Sequence, residues 1–368
     1  MTDYSYFQDI PKLSINFLEK LKQDSEYNFF PVINSPTKIG KKINMGYNSY
    51  AIKLYKLSNE WQNLDSKAKE NWIKYLQNFQ SSKFKDFENY FIDDEVVKYF
   101  DKNFSIYNLK NLTKSTLNTF FKKDYESKQM QIFKAINADS KQAVSTLSEV
   151  GYKIQKIPVN FFNNHISVEE YLSSYDWSKP WDAGAQFSSI SLYSSTFNLK
   201  LENNLTDFIK LKLNHETGSY FQKKPKSTRQ IINGAMKVIS GLDWLNHPIH
   251  LPEKLIDFCL DNKPKFEGCD LVDYVYVLYQ CSEQTNYKKK EILNIFNDVL
   301  DYLKLLYHEE YNGFSYYINK SQTHYYGIEN SKGKNTPDIH GTILSVWALV
   351  MILTLLEKNK YDYNTIKP

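Results

Sequence analysis

The sequence predicts an all-α protein, an α/α toroid in which paired inner and outer helices form two layers. Only 12 glycines and 11 prolines occur in 368 residues, and apolar residues recur every three or four positions, as they do in amphipathic helices. The predicted helices alternate between segments with one charged face and segments that are apolar nearly all round. A short phrase at the start of one apolar helix also recurs about a hundred residues later. Alternation together with repetition is typical of helical toroids and solenoids.

The first 45 residues contain Pro11, Pro31 and Pro36 and predict an N-terminal arm that packs on the toroid. No Gly/Ser linker or charge run divides residues 46–368, which therefore predict a single domain. The helical pattern predicts helices over residues 49–64, 68–80, 94–104, 127–139, 140–152, 167–177, 184–197, 205–216, 231–245, 252–262, 271–281, 289–310 and 342–356.

The two kinds of helix predict the two layers. Residues 289–310 carry their charge on one face, which is typical of an outer, solvent-facing helix. Residues 271–281 and 342–356 are apolar nearly all round, which is typical of an inner helix. The apolar run from Ile343 to Leu356 is about 14 residues long, shorter than the ~20 residues that span a bilayer. It therefore predicts a buried helix.

The repeat has two parts. Two predicted outer helices end in a glycine followed by an aromatic residue, at Gly218 and at Gly313, and a degenerate copy has Phe84 and Phe87. Each glycine predicts a left-handed C-cap. Next, INGA at residues 232–235 aligns with IHGT at residues 339–342. The two phrases are predicted to start equivalent inner helices on the same rim, of which only the second carries a titratable side chain, His340.

This repeat style, over residues 50–358, resembles the α/α toroid superfamily of protein prenyltransferase β subunits and triterpene cyclases. Prenyltransferase β subunits hold zinc with an Asp-x-Cys pair before one inner helix and a histidine at the start of a later one. The resemblance implies zinc ligands at Glu267, Cys269 and His340, with Glu in place of Asp. Triterpene cyclases use an acidic cluster as the proton donor, for which Asp270 and Asp273 are the candidates.

The candidate catalytic residues are acidic groups and a histidine at predicted inner-helix starts. Asp270 and Asp273 lie three residues apart and share a helix face. Burying two carboxylates in an apolar run without a function is costly, although an N-cap explains one of them. His340 and Asp182 complete the predicted catalytic set. A histidine bonded to a backbone carbonyl is the structural alternative for His340.

The candidate substrate-binding residues are mainly aromatic. Trp177 and Trp181 flank a proline before another predicted inner helix and suit a sugar ring or a carbocation. The polar loop at residues 321–338 is a candidate lid. The complete predicted set is Trp177, Trp181, Tyr274, Asn233, His324 and Tyr326.

These residues predict an enzyme of terpenoid-cyclase or prenyltransferase type, with acid-assisted chemistry on an isoprenoid-like substrate. One alternative is a carbohydrate-active toroid, a lyase, epimerase or hydrolase, in which the same residues do acid/base work on a glycan. Another is a non-catalytic binding scaffold. A closed apolar cavity would favour the isoprenoid, and an open polar groove lined with tryptophan would favour the glycan.

Composition bears on partners and location. The net charge is +4, with both signs mixed along the chain, which argues against nucleic-acid binding. Three cysteines without CxxC spacing favour a reducing compartment, and the N-terminus lacks the pattern of a signal peptide. A cytoplasmic protein with a small-molecule or glycan substrate is expected.

Overall fold

The computed structural model describes residues 4–82, 87–102, 128–158 and 167–368, and within them the protein is all-α with three short hairpins. The helices are α1 (Ser5–Gln8), α2 (Ile10–Leu21), α3 (Met45–Leu57), α4 (Ser66–Gln77), α5 (Asp94–Lys102), α6 (Lys128–Glu149), α7 (Val168–Ser173), α8 (Pro180–Phe197), α9 (Glu202–Lys210), α10 (Thr228–Trp244), α11 (Pro252–Asp261), α12 (Gly268–Ser282), α13 (Lys289–Leu306) and α14 (Ile339–Leu355). The strands, two residues each, are β1 (Gln80–Ser81), β2 (Tyr90–Phe91), β3 (Tyr307–His308), β4 (Gly313–Phe314), β5 (His324–Tyr325) and β6 (Ile328–Glu329), paired antiparallel as β1–β2, β3–β4 and β5–β6.

Six helices contact one another in a closed circuit. Helices α3, α6, α8, α10, α12 and α14 follow in that order, each packs on the next, and α14 packs on α3. The remaining long helices pack outside this circuit: α2 lies on α14 and α3, α4 on α3, α11 on α12, and α13 on α12 and α14.

The N-terminal halves of the six circuit helices face the same side. Arg229 of α10 pairs with Asp270 at the start of α12. The ring of Tyr316 lies 5.2 Å from the ring of His340 at the start of α14. His340 in turn stacks on Tyr50 of α3, with ring centroids 4.9 Å apart. Lys134, in the first half of α6, pairs with Asp182 at the start of α8, and Arg229 lies over the Trp181 ring of α8. Tyr316 also contacts Cys269 of α12 and so bridges α12 and α14. These contacts link the N-terminal halves of the six helices, so the helices run roughly parallel.

The predicted helices at 127–139 and 140–152 are one continuous helix, α6. The join contains Asp139 and Ser140, residue types that favour helix ends because their side chains compete for backbone hydrogen bonds. Here tertiary partners occupy both side chains. Asp139 accepts a hydrogen bond from Tyr325 Oη, and Ser140 Oγ accepts one from the backbone N–H of Phe91 at 3.2 Å.

The two clear copies of the repeat share a hairpin after an outer helix. Leu213 bridges to Tyr220 in the first copy, and Tyr307 pairs with Phe314 in the second. Tyr220 and Phe314 are both fully buried. A third hairpin, β1–β2, follows α4 with Phe91 buried at its end. The predicted aromatic Phe84 lies outside the described residues.

The predicted helix C-caps at Gly218 and Gly313 are wrong. Helix α9 ends at Lys210, so Gly218 is left-handed, with φ +72°, in the hairpin turn and not at the helix end. At the second turn Asn312 adopts the left-handed conformation, with φ 60°. Gly313 serves close packing instead, because a Cβ there would lie 2.7 Å from the ring of Phe17.

The N-terminal arm, for which the sequence predicts no helix, contributes helix α2 to the outer packing. Its following segment pairs with the loop before α14, through bridges Val32–Asp338 and Pro36–Ser331. None of the described helices combines the length and apolar character needed to cross a membrane.

Candidate functional site

A cavity of about 480 Å³ lies inside the circuit, and all six circuit helices contribute to its wall. That volume is within the range of ligand pockets, about 300–1,000 Å³. Segments outside these helices complete the wall with Tyr316, Gln322, the β5–β6 hairpin and, opposite the helix starts, Ile366 and Pro368. The side chains on the wall include lysines, carboxylates, amides and aromatic rings: Tyr50, Lys53, Lys134, Asn137, Lys141, Gln142, Trp181, Asp182, Gln186, Lys237, Cys269, Asp273, Tyr316, Gln322, Tyr325, Tyr326, His340 and Trp347.

Asp273 of α12 is a buried carboxylate on this wall. It is 2 % exposed, and its Oδ2 has no hydrogen-bond partner among the described residues. Burial raises the carboxyl pKa to about 6, against which the positive charge of Lys237 acts. An ionisable group that changes charge near neutral pH in a cavity is a candidate for proton transfer.

His340 lies at the first turn of α14, half-buried, with its ring stacked on Tyr50. Its Nδ1 has no hydrogen-bond partner in the described part of the chain. Burial, and secondarily the charge of Lys237, lower the histidine pKa to about 3. The imidazole is therefore neutral at physiological pH. It is suited to hydrogen-bond a ligand and poorly suited to donate a proton.

The wall also contains lysines, none of which the sequence predicts as a site residue. Lys53 of α3 is 3 % exposed and donates to Ser145 Oγ at 2.8 Å. Lys141 of α6 donates to Ser188 Oγ at 2.6 Å. Burial lowers the pKa of Lys53 to about 8 and that of Lys141 well below its usual value.

The sequence carried a signal for part of this wall. Lys134, Asn137, Lys141 and Ser145 recur at intervals of three or four residues, which places them on one face of α6. Such a polar stripe normally faces solvent. Only the closed circuit of helices turns it toward a cavity.

Asp182 and Trp181 lie at the mouth of the cavity, at the start of α8. The carboxylate of Asp182 pairs with Lys134 at 2.8 Å and is about half exposed. The guanidinium of Arg229 lies 5.0 Å from the centre of the Trp181 ring. Both predicted residues therefore line the site, with Asp182 in a solvent-exposed ion pair.

Asp270 is separated from Asp273 although they are three residues apart. Both Asp270 carboxylate oxygens accept from Arg229 Nε at 2.8 Å, and Oδ1 also accepts from Asn233 Nδ2 at 2.8 Å. These contacts join α10 to α12 outside the cavity lining. The paired Asp270 and Asn233 thus have a structural explanation, and a catalytic role for Asp270 stays a prediction without support from its position.

The remaining predicted aromatic residues do not reach the cavity. Trp177 is 3 % exposed, and its Nε1 donates to the carbonyl of Leu172. Tyr274 is fully buried on the outward side of α12, and its hydroxyl donates to the carbonyl of Cys259. Both have the packing environment of core residues.

The β5–β6 hairpin covers one side of the cavity. Tyr325 and Tyr326 contribute to the wall, whereas His324 is exposed and contacts the Thr323 hydroxyl. Tyr325 also anchors the hairpin to Asp139. The predicted loop is therefore part of the site through its tyrosines.

The predicted zinc ligands are not assembled. Within the described ranges, no three or more His, Cys, Asp or Glu side chains are grouped so that they could hold a metal ion. Cys269 does line the cavity, but its thiol contacts the Tyr316 hydroxyl at 3.2 Å, and burial raises its pKa to about 11. Glu267 precedes α12 and is not part of the cavity wall. A zinc thiolate site therefore has no support in this geometry.

Asp338 fixes the segments around His340. It is 1 % exposed, and its carboxylate accepts from the backbone N–H groups of Gly341 at 2.7 Å, Tyr316 at 2.8 Å and Gln322 at 3.0 Å. One side chain thereby caps α14 and positions two wall residues. Gly341 allows the close approach, because a Cβ there would lie 2.5 Å from the Tyr316 nitrogen.

No family model matches the sequence, and comparisons with curated proteins and with solved structures gave no match. The function is therefore inferred from the residues and geometry of the site.

Proposed function

We propose that the six-helix circuit is the inner layer of an α/α toroid and that the chain is a carbohydrate-active enzyme whose substrate binds in the central cavity. The closed neighbour order of α3, α6, α8, α10, α12 and α14 supports the toroid, as do the shared direction of these helices and the outer packing of α2, α4, α11 and α13.

The observation that carries the enzymatic proposal is the Asp273 carboxylate. It is almost fully buried, one oxygen lacks a partner in the described residues, and it belongs to a ligand-sized cavity. A buried charge without a hydrogen-bond partner is costly unless a ligand or water supplies one. With a pKa near 6, the carboxylate is mostly ionised at pH 7 and suited to accept a proton from a substrate hydroxyl, carbon acid or water.

The polar part of the wall supports a sugar as the substrate. Asn137, Gln142, Gln186 and Gln322 supply amide donors and acceptors from several directions, and Trp181 supplies an aromatic face at the mouth. Sugar rings need directional hydrogen bonds and stack on aromatic rings. The neutral imidazole of His340 would hydrogen-bond the substrate beside Asp273 and would not donate the proton.

The isoprenoid reading is the second candidate, supported by a different part of the wall. Met236, Val272, Ile343 and Leu344 form an apolar surface in the same cavity. Together with the aromatic rings, this surface suits an isoprenoid-like substrate, as the resemblance to terpenoid cyclases and prenyltransferases implied.

The two candidates differ in the protonation state that they need. Protonation of an isoprenoid requires Asp273 as the acid, so the rate should fall as pH rises through about 6. Proton abstraction requires the carboxylate, so the rate should fall as pH drops through the same value. A cytoplasmic location is also part of the proposal. All three cysteines are free thiols, which is typical of proteins in a reducing compartment.

The test is a binding and turnover screen of neutral and acidic oligosaccharides and monosaccharides against isoprenoid alcohols and diphosphates, with wild type and Asp273→Asn. We expect sugars to be bound and turned over by wild type and not turned over by Asp273→Asn. Turnover confined to isoprenoids would replace the first candidate by the second. Ligand binding with equal product formation by the two proteins would end the assignment to Asp273.

A further inference from the structure

Among the described residues, three of the four lysines on the cavity wall form a cluster without an acidic ion-pair partner. Lys53, Lys141 and Lys237 come from three different helices, α3, α6 and α10, and all three line the cavity. Lys53 and Lys141 contact serine hydroxyls, and none of the three forms an ion pair within the described residues. By contrast, Lys134 on the same wall is paired with Asp182.

The three ammonium groups are close enough to repel one another. The charges of Lys237 and Lys53 both lower the pKa of Lys141, and that of Lys237 lowers the pKa of Lys53. Two acidic groups act in the opposite direction: Asp273 on Lys141 and Glu149 on Lys53. Glu149 accepts instead from the backbone N–H of Lys367, at 3.2 Å.

Lys53, Lys141 and Lys237 thus share the cavity with the Asp273 carboxylate, whereas the Asp182 carboxylate at its mouth is already paired with Lys134. Burying a charge is expensive unless an opposite charge accompanies it.

We propose that Lys53, Lys141 and Lys237 form the binding site for an anionic group of the substrate, a carboxylate or a phosphate carried by a sugar. The serines extend this site: Ser188 links Lys141 to Ser240 through a hydroxyl contact of 2.5 Å. Hydroxyls and ammonium groups are the donors that carboxylate and phosphate oxygens accept from. Asp273, on the helix across the circuit from α6, lies at the other side of the bound molecule.

That the anionic group is carried by a sugar rests on the proposed function. That the lysines bind an anion does not. The test is calorimetric titration of the full chain with inorganic phosphate, glucuronate, glucose 1-phosphate and glucose. Wild type is compared with Lys53→Gln and Lys141→Gln, and Lys56→Gln is the matched control, since Lys56 belongs to α3 but not to the cavity wall. Circular dichroism and melting temperature verify that each variant is folded.

We expect an anionic probe to bind more tightly than glucose, and each cavity variant to bind that probe about 10- to 100-fold more weakly, because a hydrogen bond to a charged group is lost. Lys56→Gln should bind as wild type does. Preference for glucuronate would identify a carboxylate, and preference for glucose 1-phosphate a phosphate.

Three results would overturn the anion site: no binding of any anionic probe, glucose binding as tightly as the anions, or affinity unchanged in both cavity variants. Lysine-independent binding of a neutral sugar would remove the anion site and leave the proposed function standing. Lysine-dependent binding of phosphate alone, with no sugar turned over, would keep the site and remove the proposed function.

Discussion

The two sides of the cavity differ in the composition of the helices that hold their polar side chains. On the α12–α14 side, Asp273 and His340 lie in largely apolar helices, so each stands out in the sequence. On the α3–α6 side, Lys53 and Lys141 lie in helices with other polar residues and resemble ordinary surface lysines. Both sides nevertheless face the same cavity. A polar residue in a helix is informative only once the direction of that helix face is known.

The largest expected effect is on the α12–α14 side. Asp273→Asn should lower turnover about 100- to 10,000-fold, the usual contribution of a proton-transfer group. The wild-type kcat/KM should fall as pH drops through about 6, because the free carboxylate is the active form, and that limb should be absent in the variant. Asp270→Asn is the control three residues away, since its carboxylate faces Arg229 and not the cavity. Equal losses in both variants would mean that the structure does not distinguish the two carboxylates.

Burial of the Asp273 carboxyl group also predicts a stability change of definite sign. Its pKa is raised to about 6 from 3.8, so the folded state binds a proton more readily than the unfolded state. The contribution of this group to stability should therefore be lost as pH rises from about 4 to 6. Denaturant unfolding at several pH values, compared with Asp273→Asn, measures it, and a pH dependence unchanged by the substitution would contradict the prediction.

Asp338→Ala should lower the free energy of unfolding by about 3 kcal/mol, since three backbone N–H groups lose an acceptor and α14 loses its cap. Asp65→Ala is a matched control at an exposed helix start, where the side chain accepts a single hydrogen bond, from Ala68, at 2.9 Å. That control should lose about 1 kcal/mol. Urea unfolding compares the two, and similar losses would show that the Asp338 contacts to Tyr316 and Gln322 contribute little.

The α3–α6 side predicts a substitution that stabilises the protein. Burial lowers the pKa of Lys53 to about 8 from 10.5, a penalty of about 3 kcal/mol at about 1.4 kcal/mol for each pH unit between these values. Lys53→Met should therefore raise the free energy of unfolding by roughly 2–3 kcal/mol at pH 7. The advantage should disappear between pH 8 and 10.5, where the unfolded lysine also becomes neutral. Denaturant unfolding of Lys53→Met and Lys56→Met across this pH range checks the prediction, and destabilisation at pH 7 would sink it.

His340→Asn should have a smaller effect than Asp273→Asn. The ring is neutral near pH 7, so the substitution removes the proposed hydrogen bond to the substrate and the ring stack with Tyr50 but no proton-transfer group. We expect turnover to fall about tenfold and stability to fall by about 1 kcal/mol. His324→Asn, on the exposed hairpin, should leave both unchanged. A loss of activity in His340→Asn that equals that of Asp273→Asn would restore the histidine as a proton-transfer group.

The smallest expected effect is at the mouth of the cavity. Asp182 and Lys134 are both partly exposed, so water screens their ion pair. Asp182→Asn should change the free energy of unfolding by no more than about 0.5 kcal/mol. A loss of several kcal/mol in thermal or urea unfolding would show that this pair holds α6 against α8.

The local sequence pattern predicted some residues of the site correctly and misplaced others, because it does not show whether a helix face is turned toward the core or toward the cavity. His340 and Asp273 were found because a polar residue inside an apolar helix needs a purpose. Trp177 and Tyr274 were misplaced because an aromatic residue beside a helix start packs equally well toward a core or toward a cavity. The prediction that Asn233 and His340 occupy equivalent helix starts is wrong, because α10 begins at Thr228 and α14 at Ile339, so Asn233 lies about one turn further into its helix than His340.

The sequence by itself determined the all-α class and the recurrence of a glycine and an aromatic residue after two outer helices, because periodicity and turn composition are local properties. Tertiary structure alone decided the continuity of α6 through Asp139 and Ser140, whose side chains find partners in distant segments. It also decided that Lys53, Lys141 and Lys237 meet Asp273 around one cavity. Which face of a helix is enclosed depends on where its neighbours pack, and in this chain those neighbours come from segments that are distant in the sequence.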